Sequence, residues 1–187
     1  MRGVGIIGRP RVGKDSAADH LIQRHGFTRV SIADPIKRAA LGADPIIGWS
    51  KNAGEPVRLA KTVERYGWEY AKDTFPEVRR FLWKMSVDGV ATVLGEDVWT
   101  DAAVRAIRAV SGPVVVTDVR LIEEVKALRA EGLRMVYMTR EGVPELDSRE
   151  GEHLGPDAAD FRLHNGGGLD ELGVQVDALV TRIRDES

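Results

Sequence analysis

The stretch Gly3-Val4-Gly5-Ile6-Ile7-Gly8-Arg9-Pro10-Arg11-Val12-Gly13-Lys14-Asp15-Ser16 constrains this chain more than any other. A short apolar run enters a glycine-framed loop. The loop then enters a helical pattern, with Ala18, Leu21 and Ile22 recurring between His20, Gln23 and Arg24. Gly8 and Gly13-Lys14 stand in the spacing G-x-x-x-x-G-K of a phosphate-binding loop. Glycines admit backbone conformations closed to other residues, so successive N–H groups can turn inward. At the positive end of the following helix those groups form a concave anion site. Lys14 adds a mobile point charge for the β- and γ-phosphates of a nucleotide. The bland alternative is a tight strand-to-helix turn with a solvated lysine; the flanking pattern argues against it.

One position departs from the usual loop. Where a Ser or Thr hydroxyl commonly meets Mg²⁺, this chain has Asp15, followed by Ser16. A carboxylate is a harder and stronger Mg²⁺ ligand. Asp15 is therefore expected to hold the ion directly or through water, with Ser16 as a substitute. Its other role would be to complement the helix dipole.

A chain of 187 residues suits one domain, or one domain with a modest insertion. Hydrophobic residues at 43% and charged residues at 30% fit a soluble globular protein. The net charge of −2 gives no general attraction to nucleic acid, so phosphate binding must be local. The absence of cysteine excludes disulfides, thiolate catalysis and cysteine zinc sites. Neither a signal peptide nor a membrane span is expected, and the sequence reads as cytoplasmic.

In chain order, 3–7 reads as a strand and 14–25 as a helix ended by Gly26. Residues 27–32 read as a second strand. Asp34 is expected to cap a helix beginning at Pro35, which would put Asp34 and Lys37 near the carboxyl end of a parallel strand, where open α/β sheets bind ligands. Residues 41–55 look irregular, a loop or flap. Helical periodicity follows over 57–72 and 76–94, the latter with Val78, Phe81, Leu82 and Met85 on one stripe, and over 99–110. Residues 41–100 thus read as a helical insertion packed against the sheet. Its aromatics Trp49, Tyr66, Trp68, Tyr70, Trp83 and Trp99 are expected in a core, with a ring or two free to stack on a base.

The run 113–116 is a buried parallel strand, and Asp118 just beyond it stands where a Walker-B acid would face nucleotide-bound Mg²⁺. The competing role for Asp118 is to cap the helix predicted over 121–131. Arg120 adds a cation. A strand over 134–138 leads to Arg140 and a charge-rich segment, 140–158, that reads as a lid. Arg140 and Arg149 are its candidates for clamping phosphate oxygens, and His153 reads as a surface histidine. A fifth strand, 160–163, and a helix over 169–184 complete the pattern. Five strands alternating with helices predict an α/β three-layer sandwich around a parallel sheet.

These residues resemble the bacteriophage deoxynucleoside monophosphate kinases, which carry Gly-Lys-Asp in the phosphate loop. The resemblance rests on Gly13-Lys14-Asp15, Ala33-Asp34-Pro35-Ile36-Lys37, Val78-Arg79-Arg80-Phe81-Leu82, Gly95-Glu96-Asp97-Val98-Trp99, Asp118-Val119-Arg120, and His164-Asn165-Gly166 with Leu169-Asp170-Glu171-Leu172. It implies a P-loop kinase that moves the γ-phosphoryl of ATP to a deoxynucleoside 5′-monophosphate with Mg²⁺. Carried across, Gly8, Arg11, Val12, Gly13, Lys14, Asp15 and Ser16 bind ATP, with Asn165 near the adenine. Asp15, Ser16 and Asp118 hold Mg²⁺. Asp34, Lys37, Arg80, Trp99, Asp118 and Arg120 line the acceptor site. Lys14, Arg140 and Arg149 stabilise charge in the transition state. The expected partners are small molecules, with no nucleic acid and no membrane; a homodimer through exposed helical faces is left open. Two rival readings are a dephospho-coenzyme A kinase, with Asp34 as a base for a ribose hydroxyl, and a nucleotide-binding regulatory module.

Overall fold

Five of the apolar runs form one sheet because their residues alternate between two faces that both must be covered. The computed structural model describes residues 1–50, 54–143 and 154–186. The chain divides into two compact units, Met1–Ile32 with Ala103–Ser187, and Ala33–Ala102.

In the first unit, β1 (Gly3–Ile7) leads through the glycine-framed loop into α1 (Lys14–His25) and the short β2 (Thr28–Arg29). The second unit intervenes with α2 (Asp34–Ala43), β3 (Ile46–Trp49), β4 (Pro56–Arg58), α3 (Leu59–Thr74), α4 (Pro76–Lys84) and α5 (Thr92–Leu94). Helix α6 (Val98–Ala109) precedes β5 (Val114–Val116), α7 (Ile122–Ala130), β6 (Leu133–Thr139), β7 (Phe161–His164) and α8 (Leu169–Asp185). The sheet runs β2-β5-β1-β6-β7 and every pairing in it is parallel. The fold is therefore the expected α/β three-layer sandwich.

Period-two alternation explains the layers. Val4, Ile6, Val115, Val136 and Met138 face one side and pack with Ala18 and Leu21 of α1 and Val176, Val180 and Ile183 of α8. Ile7, Val114, Val116, Leu133 and Met135 face the other side, against Ala103 and Ile107 of α6 and Val125 and Leu128 of α7. The edges differ from the centre. At β7 only Phe161 and Leu163 are buried, and in β2 both residues are exposed. That is why β2 is shorter than the run 27–32: Phe27, Val30 and Ile32 are buried by packing, while the ladder with β5 occupies two residues.

The second unit has its own small core. Ala40, Ile47, Leu59, Ala71 and Val78 are buried, with Trp68, Phe75, Phe81, Leu82 and Met85 packed around them. Four expectations change here. The segment 41–55 is not wholly irregular, because β3 and β4 pair as an antiparallel hairpin. The helix over 57–72 is interrupted at Gly67, and the one over 76–94 passes through a π-helical stretch, Met85–Ala91, between α4 and α5. Most of the aromatics expected in a core are at the surface: Trp49, Tyr66, Tyr70 and Trp83 are exposed. A hairpin and a broken helix leave fewer inward positions than two regular helices would supply.

No helix among the described residues is long and apolar enough to cross a membrane. Along α8, Ile183 is fully buried while Val174 is 69% exposed. Ile183→Ala is therefore expected to cost about 2–5 kcal/mol, and Val174→Ala less than about 0.5 kcal/mol, in chemical denaturation of the purified protein.

Candidate phosphate-binding site

The loop between β1 and α1 takes the shape its glycines allow. Gly13 has φ 100° and forms the N-terminal boundary of α1, while Arg11 also lies at positive φ, 67°. Alternation of this kind turns successive N–H groups toward one side, which builds an anion cradle. Close approach also forbids side chains. A Cβ on Gly8 would stand 2.4 Å from the Met138 carbonyl oxygen, and one on Gly13 would stand 2.5 Å from Asn165 Nδ2. The ends of β6 and β7 thus press against the loop from beneath.

Asn165 holds it there. Its side chain is buried, and Nδ2 donates to the Val12 carbonyl oxygen at 2.9 Å. Its backbone N–H donates to Thr139 O at 2.8 Å, tying the end of β7 to the end of β6. The Asn165 side-chain amide thus supports the loop.

Lys14 curls over the same loop, with Nζ donating to Gly8 O at 2.7 Å and Arg9 O at 2.8 Å. Burial holds its ammonium group below the ordinary lysine value; the Asp15 carboxylate opposes this and the Arg120 guanidinium adds to it. A desolvated ammonium next to inward-facing N–H groups interacts strongly with an anion, since little water competes.

Asp15 is exposed, and its Oδ1 accepts from Arg29 Nη1 at 3.0 Å and from Thr117 Oγ1 at 3.2 Å. Asp118 lies half-buried beyond β5, the strand beside β1. Its Oδ2 accepts from Ser31 Oγ at 2.7 Å and its Oδ1 from the Ile32 N–H at 3.1 Å. Asp118 does not cap the next helix. That task falls to Glu124, whose Oε2 accepts the N–H groups of Arg120, at 2.6 Å, and Leu121, at 3.0 Å. Burial pushes the Glu124 carboxyl up, against the pull of those two N–H groups.

Sequence reasoning missed four side chains here: Arg29, Ser31, Thr117 and Glu124. Thr117 and Glu124 flank the apolar run 113–116 and its following helix, so position could have suggested them. Arg29 and Ser31 reach their partners only because β2 lies beside β5.

The other expected residues take the following places. Arg140 is exposed just after β6, and Arg149 lies outside the described residues, as does His153. Arg120 is exposed and Ser16 half-buried, both in the first unit. Asp34, Lys37, Arg80 and Trp99 belong to the second unit. Asp34 is the first residue of α2 rather than its cap, which is Ala33, and it lies 3.7 Å from Lys37 Nζ. Arg80 pairs with Glu77 on its own helix. The Trp99 indole N–H donates to Ser86 O at 3.0 Å.

Comparison with solved structures finds chains of similar length at low identity. Shikimate kinase from Aquifex aeolicus vf5 is 11% identical with a TM-score of 0.49, the match covering 98% of this chain and 96% of that one. A gluconokinase from Sinorhizobium meliloti 1021 is 16% identical with a TM-score of 0.48, covering 98% and 94%. Dephospho-CoA kinase from Campylobacter jejuni is 11% identical with a TM-score of 0.45, covering 97% and 96%. No family model and no curated protein matches the chain in sequence.

Replacing Asn165 by alanine would leave the Val12 carbonyl without its buried partner. Asn165→Ala is expected to cost about 1–3 kcal/mol in urea unfolding of the purified protein.

Proposed function

We propose that the chain is an ATP-dependent phosphotransferase acting on a small-molecule acceptor. One observation carries this reading: Lys14 and the positive-φ loop at the end of β1 stand beside the β5 strand that leads to Asp118. The loop N–H groups and Lys14 would bind the β- and γ-phosphates, so that the developing charge meets fixed donors. Arg140 and Arg149 are the proposed clamps on the transferring group.

The donors around the loop suit Mg²⁺, since Asp15, Ser16, Thr117 and Asp118 offer only oxygen. Asp15 and Ser16 would hold the ion. Asp118, with both carboxylate oxygens already accepting hydrogen bonds, suits contact through water. When bound, the ion supplies charge neutralisation between phosphate oxygens.

For the acceptor, we infer a deoxynucleoside 5′-monophosphate, supported by the ordered sequence motifs that include Asp34-Pro35-Ile36-Lys37 and Asp118-Val119-Arg120. Such a phosphate is largely dianionic at neutral pH, with a second pKa of about 6, and needs no strong base. Asp34, Lys37, Arg80, Trp99, Asp118 and Arg120 are the proposed acceptor-binding residues. A dephospho-coenzyme A acceptor is the second reading, favoured by the exposed Asp34 carboxylate as a base for a hydroxyl.

A coupled assay of ADP release from MgATP, with dAMP, dGMP, dCMP, dTMP and dephospho-coenzyme A offered separately, tests both. Turnover with a deoxynucleotide supports the reading, and turnover with dephospho-coenzyme A alone replaces the acceptor. Silence with all five, together with retained ATP binding, would point to a binding module. Lys14→Ala is expected to lower turnover by about a hundredfold or more while leaving the circular dichroism spectrum unchanged. Asp15→Ser is expected to shift the Mg²⁺ concentration needed for half-maximal rate; an unchanged titration would assign Asp15 to the helix dipole instead.

A further inference from the structure

A second cluster of chemistry-bearing side chains lies at the other end of α1 from the phosphate loop. His20 Nε2 stands 2.8 Å, and His25 Nε2 2.7 Å, from the same oxygen of Asp177, Oδ1. The two imidazole rings are 6.1 Å apart between centroids and inclined by 56°, so each presents an edge nitrogen to the carboxylate. The three ligand atoms all lie within 4.8 Å of one another, and all three residues are half-buried.

The cluster is mounted on rigid elements. His20 and His25 belong to α1 and Asp177 to α8, and these helices share the core of Ala18, Leu21, Val176 and Val180. Space for it is kept by Gly173, one turn before Asp177: a Cβ there would stand 2.8 Å from His20 Cε1. No sequence motif marks it. Side chains meet along a helix at spacings of three or four, and His20 and His25 are brought together only by the carboxylate of a different helix.

We propose that His20, His25 and Asp177 form a binding site for a divalent transition metal of the zinc class, separate from the phosphate loop, that fastens the end of α1 to α8. Two imidazoles and one carboxylate are a ligand set that suits Zn²⁺ and its neighbours, with a water completing a tetrahedron. Mg²⁺, which prefers oxygen, is a poor competitor. Both Nε2 atoms must be unprotonated to bind, so the metal replaces the two hydrogen bonds now made to Oδ1. Metal–ligand bonds of about 2.0–2.1 Å imply ligand atoms about 3.3 Å apart, so each His–Asp177 separation widens by about half an ångström, within reach of side-chain torsions. The site is independent of the ATP reading, because it lies on the sheet-covering helices and needs no nucleotide.

The test uses the full chain, freed of metal with a chelator and titrated with Zn²⁺ in excess Mg²⁺. One equivalent bound, with a rise in melting temperature, is expected. His20→Gln and His25→Gln should each weaken Zn²⁺ binding at least about tenfold, and His164→Gln should not. Equal binding by wild type and the His20→Gln, His25→Gln double variant would overturn the proposal. Co²⁺ bound to the wild-type chain gives a reading that needs no variant to fold. The intense visible bands of a tetrahedral site support the proposal, and the weak pink spectrum of an octahedral oxygen site overturns it.

Discussion

The loop between β1 and α1 keeps its shape because the ends of two neighbouring strands support it from below. Gly8 lies against the Met138 carbonyl at the end of β6, and Gly13 lies against Asn165 just beyond β7. The bond from Asn165 Nδ2 to Val12 O then closes the contact in a buried setting, where an unpaired carbonyl would be costly. The loop's geometry is thus a property of the parallel sheet: β1 pairs with β6, β6 with β7, and their registers bring Met138, Asn165 and Val12 together.

The charged groups around the loop follow from the same order of strands. With β5 between β2 and β1, Asp118 comes within reach of Ser31 Oγ and the Ile32 N–H, and Thr117 within reach of Asp15. Opposite charges share this region. The Arg29 guanidinium holds Asp15, and the Asp15 carboxylate partly offsets the effect of burial on Lys14. Each carboxylate is oriented by its donors, Asp15 by Arg29 and Thr117 and Asp118 by Ser31 and the Ile32 N–H.

The other end of α1 is held by different chemistry. Two imidazoles converge on one carboxylate oxygen of α8, so this helix is anchored at its start by the loop and at its finish by the His20–Asp177–His25 cluster. Both anchors act on one rigid element, twelve residues long.

The sequence by itself determined the strand-loop-helix unit at the start of the chain and the five-stranded α/β class. These rest on local rules: apolar alternation, helical periodicity and glycine spacing act over a few residues and survive without knowledge of neighbours. Tertiary structure decided what depends on residues distant in the chain. It made the segment after α2 a hairpin, because β3 finds β4. It shortened β2 to the two residues that β5 pairs. It made Asn165 a support for the loop, and gave the capping of α7 to Glu124 while Asp118 bonded across to β2's flank. It also joined His20 and His25 through Asp177, 152 residues beyond His25. Each of these is a pairing across the sheet or between helices, and one-dimensional spacing carries no information about which strand will lie beside which.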